Sequence, residues 1–527
     1  MTTEVVADVV IAGAGPNGLM LACELGLAGV RPIVLERLPG ISTEPRANGL
    51  VGQVVRMLDR RGLYERLSGD PEPPEPSLAY MFGALPLDLS MLADNPIHLL
   101  AAPQQRITQV LEERAVELGV EIRRGHELTG LAQNEDAVSV DVAGPDGDYV
   151  LQARYLVGAD GGHSATRKLS GIDFPGVTTD RVTSRTANAT LPAEWIDPAT
   201  GALNISGYGT VPPFLHHRNE RGLFVFAPFP GRAPLVSTSE RDQPAIGDEV
   251  SMTLDEMRAS LRRVLGVDVP LGPPPGPGPH LLRRSTGGNT RLAERFSDRR
   301  VLLVGDAAHV HSAMGGPGLN LGLQDTVNLG WKLAAALRGW APPGLLDSYE
   351  TERLPVARRV IMHTQAQSAL IAPGSEVTAL RELFTELLGE RNNVQHIADL
   401  LAGSDVHYPM PGTDTHPLVG RWAPDMVLRT QAGTVRLAAL TRNARPLLLD
   451  LTPDGSPATA LSGWRGRVDI VTGRQASDAA GTALLLRPDC YVVWASASAR
   501  PSGAELAGLR VATQHWFGAM VADPATR

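Results

Sequence analysis

Lysine is almost missing from this 527-residue chain: Lys168 and Lys332 are the only two, and arginine makes up the rest of its 48 basic side chains. Against 57 acidic residues the formal charge is -9, which excludes the dense basic surface that nucleic acid demands. Cysteine is equally scarce. Cys23 and Cys490 are too few and too far apart for a disulfide framework or a metal-ligand cluster, no C-x-x-C occurs, and a reducing compartment is expected. No His/Asp/Glu set has metal-ligand spacing and no Ser-centred elbow is present, so neither a metal centre nor a serine nucleophile is expected. No uncharged apolar run reaches the ~20 residues that span a bilayer. The opening Met-Thr-Thr-Glu lacks the positive charge of a secretion signal. A soluble, cytoplasmic protein with no membrane or nucleic-acid partner is the expectation.

What is present is an ordinary globular balance, 43% hydrophobic and 20% charged, in a chain too long for one core. Residues 5–11 read as a buried strand, 19–28 as a helix and 30–35 as the next strand, one βαβ unit of a parallel sheet. A helix at 105–118 precedes strand patterns near 120–122 and 138–142, with a turn at Pro145-Asp146-Gly147. From about 181 to 269, short apolar runs such as 222–227 alternate with turn residues, which predicts an antiparallel sheet. The proline-rich stretch 270–280 suits a semi-rigid connection. A strand at 300–306 then feeds helical sequence from 321 to about 401, and strand patterns return near 445–450, 468–471 and 490–495. The expected division is one discontinuous unit from 1–180 and 281–405, an inserted sheet at 181–280, and a C-terminal unit at 409–527.

Three segments carry chemistry. Gly13-Ala14-Gly15-Pro16-Asn17-Gly18 fits G-x-G-x-x-G between a strand and a helix, where bare backbone and a helix N-terminus accept a pyrophosphate. Glu36 ends the next strand, where a carboxylate can accept from both hydroxyls of an adenosine ribose, and Arg37 follows it. This unit alone leaves NAD and FAD both open. In the second segment Asp160-Gly161 turns after a strand, with Arg167 shortly beyond. In the third, Asp306 ends the strand Leu302-Leu303-Val304-Gly305, a geometry that suits a ribityl hydroxyl.

With these motifs in this order, residues 5 to about 367 resemble the group A flavoprotein aromatic hydroxylases related to para-hydroxybenzoate hydroxylase. The resemblance implies an α/β fold: a Rossmann-type FAD-binding domain with an inserted antiparallel β-sheet substrate domain. It implies that Asp160 and Arg167 lie beside the cofactor and that Asp306 is a direct ligand. It places Arg46 near the flavin and its pyrophosphate, the one catalytic candidate, and Gln104 on the ribityl chain, with Gln105 as the register alternative and Arg106 as a secondary candidate. Backbone N–H groups of Gly318, Leu319 and Asn320, at a helix start, suit the pyrimidine edge of the flavin. Phe224, Phe226 and Pro228 from the sheet, with Ala313, Met314 and Gly315 from the glycine loop, are the expected substrate wall. The loop departs from the family pattern, which has Pro and Gln where this chain has Ala313 and Pro317. The histidines at 216, 217, 309 and 311 read as satisfied or solvated side chains, and the family-like stretches 328–333 and 349–355 as helix packing and surface pairing.

From about residue 409 the chain resembles the thioredoxin-like C-terminal domain of phenol hydroxylase-type and polyketide hydroxylase members, on 420–425 and 486–494. Cys490 stands where that family usually has Gly, and without C-x-x-C the domain's role is structural or dimer-supporting, so a homodimer is an expectation. The implied activity is hydroxylation of an aromatic polyketide, such as an anthracycline or angucycline, by FAD with NADPH (or NADH) and O2, through a flavin C4a-hydroperoxide. Baeyer–Villiger insertion, oxidative inactivation of an aromatic antibiotic, and a flavin oxidase or reductase without oxygen insertion stand as alternatives. No W-x-W-x-I-P pattern supports a halogenase.

Overall fold

The computed structural model describes residues 7–44, 47–229, 231, 233–244, 246, 250–276, 278, 280–312, 314, 316–411, 416–475 and 482–520. The chain opens with β1 (Ala7–Ala12), α1 (Pro16–Leu27) and β2 (Pro32–Glu36); after a long excursion, α2 (Gln104–Glu117) returns it to β3 (Glu121–Arg124). β4 (Gly147–Gly158) then pairs with the free side of β1, and the short helix α3 (Ala165–Leu169) follows. Parallel pairing runs β4–β1–β2–β3. Val9, Val10, Ile11 and Val34 are buried, because helices cover a parallel sheet and leave no face for alternation. That is why the strands read as continuous apolar runs.

β5 (Gly176–Asn188) carries the chain into a second, antiparallel sheet. β6 (His216–Asn219), β7 (Gly222–Ala227) and β8 (Leu235–Arg241) build one side of it. Helix α4 (Leu254–Leu265) packs on one face, and β9 (Leu282–Leu292) builds the other side. The chain then returns to the first sheet through β10 (Val301–Leu303), parallel to β4. The two-residue strand β11 (His309–Val310) closes the second sheet, in the order β6-β7-β8-β5-β9-β11. Since β11 directly follows the turn after β10, the end of the antiparallel sheet is stitched to the first unit.

The helical sequence resolves into α5 (Pro317–Leu337), α6 (Ser348–Leu370), α7 (Ser375–Leu387) and α8 (Arg391–Ala402). The breaks fall at Gly339 with Pro342-Pro343, at Pro373-Gly374 and at Gly389, residues that cannot continue a helix cheaply. Last come β12 (Leu447–Asp450), β13 (Asp469–Thr472), β14 (Ala483–Leu486) and β15 (Val492–Ser496), in the order β13-β12-β14-β15. Only β12–β13 is parallel in this sheet, and α9 (Gly503–Phe517) packs against it. Cys490 sits just before β15 at φ +68, a left-handed position that favours glycine. No helix among the described residues is long and apolar enough to cross a membrane.

Candidate active site

Two of the three glycines of the first turn are there because nothing larger fits. Gly13 adopts φ +105 and a Cβ would lie 2.6 Å from the Ala159 carbonyl oxygen; a Cβ on Gly18 would lie 1.9 Å from the Gly13 carbonyl oxygen. Gly15 differs, since no protein atom lies within 4 Å of where its Cβ would be. That opening is beside the N-terminus of α1, with Pro16 in its first turn, and it is the approach a pyrophosphate needs. Glu36 braces the turn by accepting hydrogen bonds from the N–H of Ala14 and of Leu38, both at 2.9 Å. Arg37 is exposed at the end of β2.

Asn17 points away from this opening. A Cβ on Gly305 or on Gly322 would fall 1.9 Å or 2.4 Å from its Nδ2, so the side chain wedges α1 against the Gly305 turn and against α5. It joins the first and third motifs as a spacer. Arg167 joins the second to the third: Nη1 donates to the Ala307 carbonyl at 2.9 Å and Nη2 to that of Gly162 at 3.1 Å, with the guanidinium 3.8 Å from the Phe174 ring centre. Asp160 accepts from Ser164 Oγ at 2.5 Å, Thr166 N at 2.9 Å and Thr166 Oγ1 at 3.0 Å, which starts α3. Its carboxylate is thus engaged in shaping the turn. Asp306 is exposed in the turn after β10, with Gly305 at φ +60.

On the other flank Gln104 begins α2, its N–H donating to the Ala47 carbonyl at 2.8 Å and its Oε1 facing Ala47 N at 3.5 Å. Gln105 and Arg106 are exposed, the latter donating to the Arg66 carbonyl. Arg46, Ala313 and Gly315 lie outside the described residues. Helix α5 starts at Pro317, so the N–H groups of Gly318 and Leu319 have no partner within the helix, while proline supplies no donor. The Asn320 side chain is committed elsewhere: Oδ1 accepts from Val51 N at 3.1 Å and Nδ2 donates to the Gly316 carbonyl at 2.7 Å. Met314 is half-buried on the same loop.

The antiparallel sheet turns one face to α4 and the other to the first unit. Phe224 and Phe226 are fully buried on the α4 side, among Met257 and Leu261, so they are core and not wall. Period-two alternation gives the opposite face to Val225 instead. In register with Val225 are His216, Ser237, Thr186 and Arg283, and one row on stand Arg218, Ser239, Ser184 and Ser285. This face reaches the first unit: His216 Nδ1 lies 3.0 Å from Met81 Sδ, Arg283 lies 3.9 Å from Glu44, and Arg241 donates to the Ser368 carbonyl. Hydroxyls pair across it, Ser184 with Ser239 at 2.8 Å and Thr186 with Ser237 at 2.9 Å. Pro228 is half-buried beyond the end of β7.

Beneath the loop, Asp325 of α5 accepts from His309 Nε2 at 2.6 Å and from Arg353 Nε at 2.7 Å. Burial alone would raise its carboxyl, yet the charges of Arg353 and His309 outweigh that and hold it below the usual range. His311 stacks on His309 at 6.4 Å between ring centres. Burial pushes both His311 and His363 of α6 down to about 4, so both imidazoles are neutral at physiological pH.

A cleft of bare backbone, helix N-termini and an exposed Asp306 is what an extended flavin dinucleotide requires, and it faces a sheet wall. The FAD binding domain family matches residues 6–364, and the aromatic-ring hydroxylase C-terminal family matches residues 416–520. The chain belongs to the FAD-dependent aromatic-ring hydroxylases. This hydroxylase is 42% identical over 521 residues to the 12-dehydrotetracycline 5-monooxygenase/anhydrotetracycline 6-monooxygenase of Streptomyces rimosus, covering 97% of this chain and 99% of that one. It is 38% identical to rifampicin monooxygenase of Streptomyces venezuelae, covering 98% and 99%. Its fold matches the solved anhydrotetracycline hydroxylase of Streptomyces rimosus with a TM-score of 0.83 at 40% identity, over 98% of this chain and 99% of that one. It is an FAD-dependent monooxygenase with the α/β fold the motifs imply.

In this hydroxylase the glycine and carboxylate motifs gather at the turns after β1, β4 and β10, whereas the sheet face opposite α4 carries no motif. Val225, Ser184, Thr186, Ser237 and Arg283 carry no local signature, and they emerge only from strand register. The 328–333 and 349–355 stretches pair as expected, but in the interior: Lys332, Glu352 and Arg353 are buried.

Proposed function

We propose that this monooxygenase hydroxylates a polycyclic aromatic polyketide of the tetracycline type, with NADPH or NADH as the electron donor. The supporting observation is the wall opposite the cleft, a broad sheet face whose paired hydroxyls, Arg283 and His216 match a flat substrate edged with phenol and keto oxygens. The relatives are named for 12-dehydrotetracycline, anhydrotetracycline and rifampicin. Bound FAD supplies the two-electron reduction and the activation of O2. The chain's own work is positional. Gly13 and Gly18 let the turn close and α1 pack on it, Gly15 leaves backbone open to the pyrophosphate, Glu36 serves the adenosine ribose, and Asp306 and Gln104 serve the ribityl chain. The N–H groups of Gly318 and Leu319 aim the positive end of α5 at the pyrimidine edge, where negative charge collects on reduction. The sheet wall orients the ring and excludes water, which keeps activated oxygen from being lost as peroxide.

The test is turnover under 18O2 with a panel of linear tetracyclic, angular tetracyclic and ansamycin substrates. Substrate-stimulated NADPH oxidation with labelled oxygen in a phenolic or tertiary hydroxyl is expected. Label in a new ester oxygen would favour Baeyer–Villiger insertion, and quantitative H2O2 without labelled product would refute the oxygenase reading.

A further inference from the structure

His311 is held in one tautomer. Its Nδ1 lies 3.0 Å from the Ser312 carbonyl oxygen, which can only accept, so Nδ1 carries the proton and Nε2 is a bare acceptor. Its histidine neighbours make their hydrogen bonds to other groups, and His363, whose Nδ1 accepts and whose proton is therefore on Nε2, has no hydrogen bond to His311. His309 stacks on the ring with an interplanar angle of 20° and gives its own proton to Asp325. His363 Nδ1 is paired with Gln367 Nε2 at 3.3 Å, and Gln367 Oε1 takes the Gly83 N–H. Among the described residues nothing hydrogen-bonds His311 Nε2, although the side chain is only half-buried. Its Cε1 and Nε2 lie 3.6 Å and 3.9 Å from where a Cβ on Gly318 would be. This edge of the imidazole therefore lies beside the first turn of α5, and the residue directly follows β11.

We propose that His311 is a specificity-determining residue whose neutral Nε2 accepts a hydrogen bond from a phenolic or enolic hydroxyl of the substrate, fixing which edge of the polycycle enters first. The proposal rests on the polyketide reading above. A neutral imidazole with a fixed Nδ1–H discriminates: it welcomes a donor and leaves an ether or a carbonyl opposite an unpaired acceptor. Burial of the ring, which pushes the imidazole down to about 4, keeps it from becoming a cation that would reverse that preference.

The experiment is substrate binding to oxidised holoenzyme, read as perturbation of the flavin spectrum. The probes are anhydrotetracycline and 1,8-dihydroxyanthraquinone, each against its phenol O-methyl ether. Wild type should prefer the free phenol by about tenfold, the worth of one neutral hydrogen bond. His311→Phe should bind both forms alike, and His311→Gln, which keeps an acceptor, should recover part of the preference. FAD affinity, measured by fluorescence titration of the apoprotein, should be the same in all three. An unchanged preference in His311→Phe overturns the proposal while leaving the polyketide reading intact. A loss confined to FAD affinity overturns it in favour of the flavin as the hydrogen-bond donor. If wild type binds none of the four probes, the polyketide reading fails and takes this proposal with it.

Discussion

At Gly18 a methyl group would have to sit 1.9 Å from the Gly13 carbonyl oxygen, whereas at Gly15 it would enter open space. Alanine at the two positions should therefore fail in different ways. Gly18→Ala must part α1 from the turn after β1, so both apoprotein stability and FAD affinity should fall, by at least tenfold for the cofactor. Gly15→Ala should leave the thermal midpoint of the apoprotein unchanged and weaken FAD alone, because its methyl competes only with the ligand. Flavin titration beside a melting curve separates the cases, and equal melting losses would refute the distinction. The neutral imidazoles make a second prediction. His363 is 1% exposed and pushed by burial to about 4, while an unfolded histidine titrates near 6.5. Between these values the unfolded chain binds a proton that the folded chain refuses, so stability falls as pH drops from about 6.5 towards 4, by about 1.4 kcal/mol per unit for one such group. Asp425, where burial is outweighed by Arg56 and Arg60, is held at about 2 and contributes acid sensitivity only below the ordinary carboxylate range. Melting of the holoenzyme between pH 7.5 and 5 should thus show a slope that His363→Phe flattens.

Helix α5 is pinned at both ends of its working length. Its start carries the N–H groups of Gly318 and Leu319, and further along Asn328 and Lys332 both donate to Glu352 of α6, at 2.6 Å and 2.8 Å. Glu352 also takes a forked pair from Arg487 at 2.6 Å and 2.8 Å. Burial alone would raise the Glu352 carboxyl, but Arg487 and Lys332 outweigh it and hold it well below the usual range. Glu352→Ala takes the paired carboxylate from buried Lys332 and leaves Arg487 with Asp489 alone, which should cost about 3–5 kcal/mol in urea unfolding; a loss under ~1 kcal/mol would show the network to be incidental. At this scale the sequence is legible where one local rule decides. The β1–α1–β2 unit, β7 at 222–227 and the hinge prolines follow from run length, period and breakers. The pairing of Glu352 with Arg487 spans 135 residues, and no pattern local to α6 or to the turn after β14 foretells it. Phe224 and Phe226 show the same limit, since alternation fixes that they share a face but not which neighbour that face meets.

Taken whole, the C-terminal unit is bound to the flavin unit through three buried arginines, Arg60, Arg61 and Arg353. Arg60, 1% exposed, lies 3.6 Å from the Trp422 ring centre and donates to the carbonyls of Ala423 and Pro424 and to Asp425. Arg61 forks onto Glu24 of α1 at 2.6 Å and 2.9 Å and reaches the carbonyls of Thr441 and Pro488. Arg353 of α6 donates to Tyr408 at 3.0 Å, whose ring packs on Tyr491 at 4.3 Å. Undocking would take from Arg60 every one of these partners and from Arg61 and Arg353 part of theirs, so separation carries a cost at three buried cations at once. Two independent domains would melt in two steps. Here flavin release and the change in tryptophan fluorescence should coincide at one temperature, and Arg60→Ala should lower both together. A variant in which tryptophan fluorescence changes first, with flavin still bound, would show that the cleft stands without its C-terminal brace.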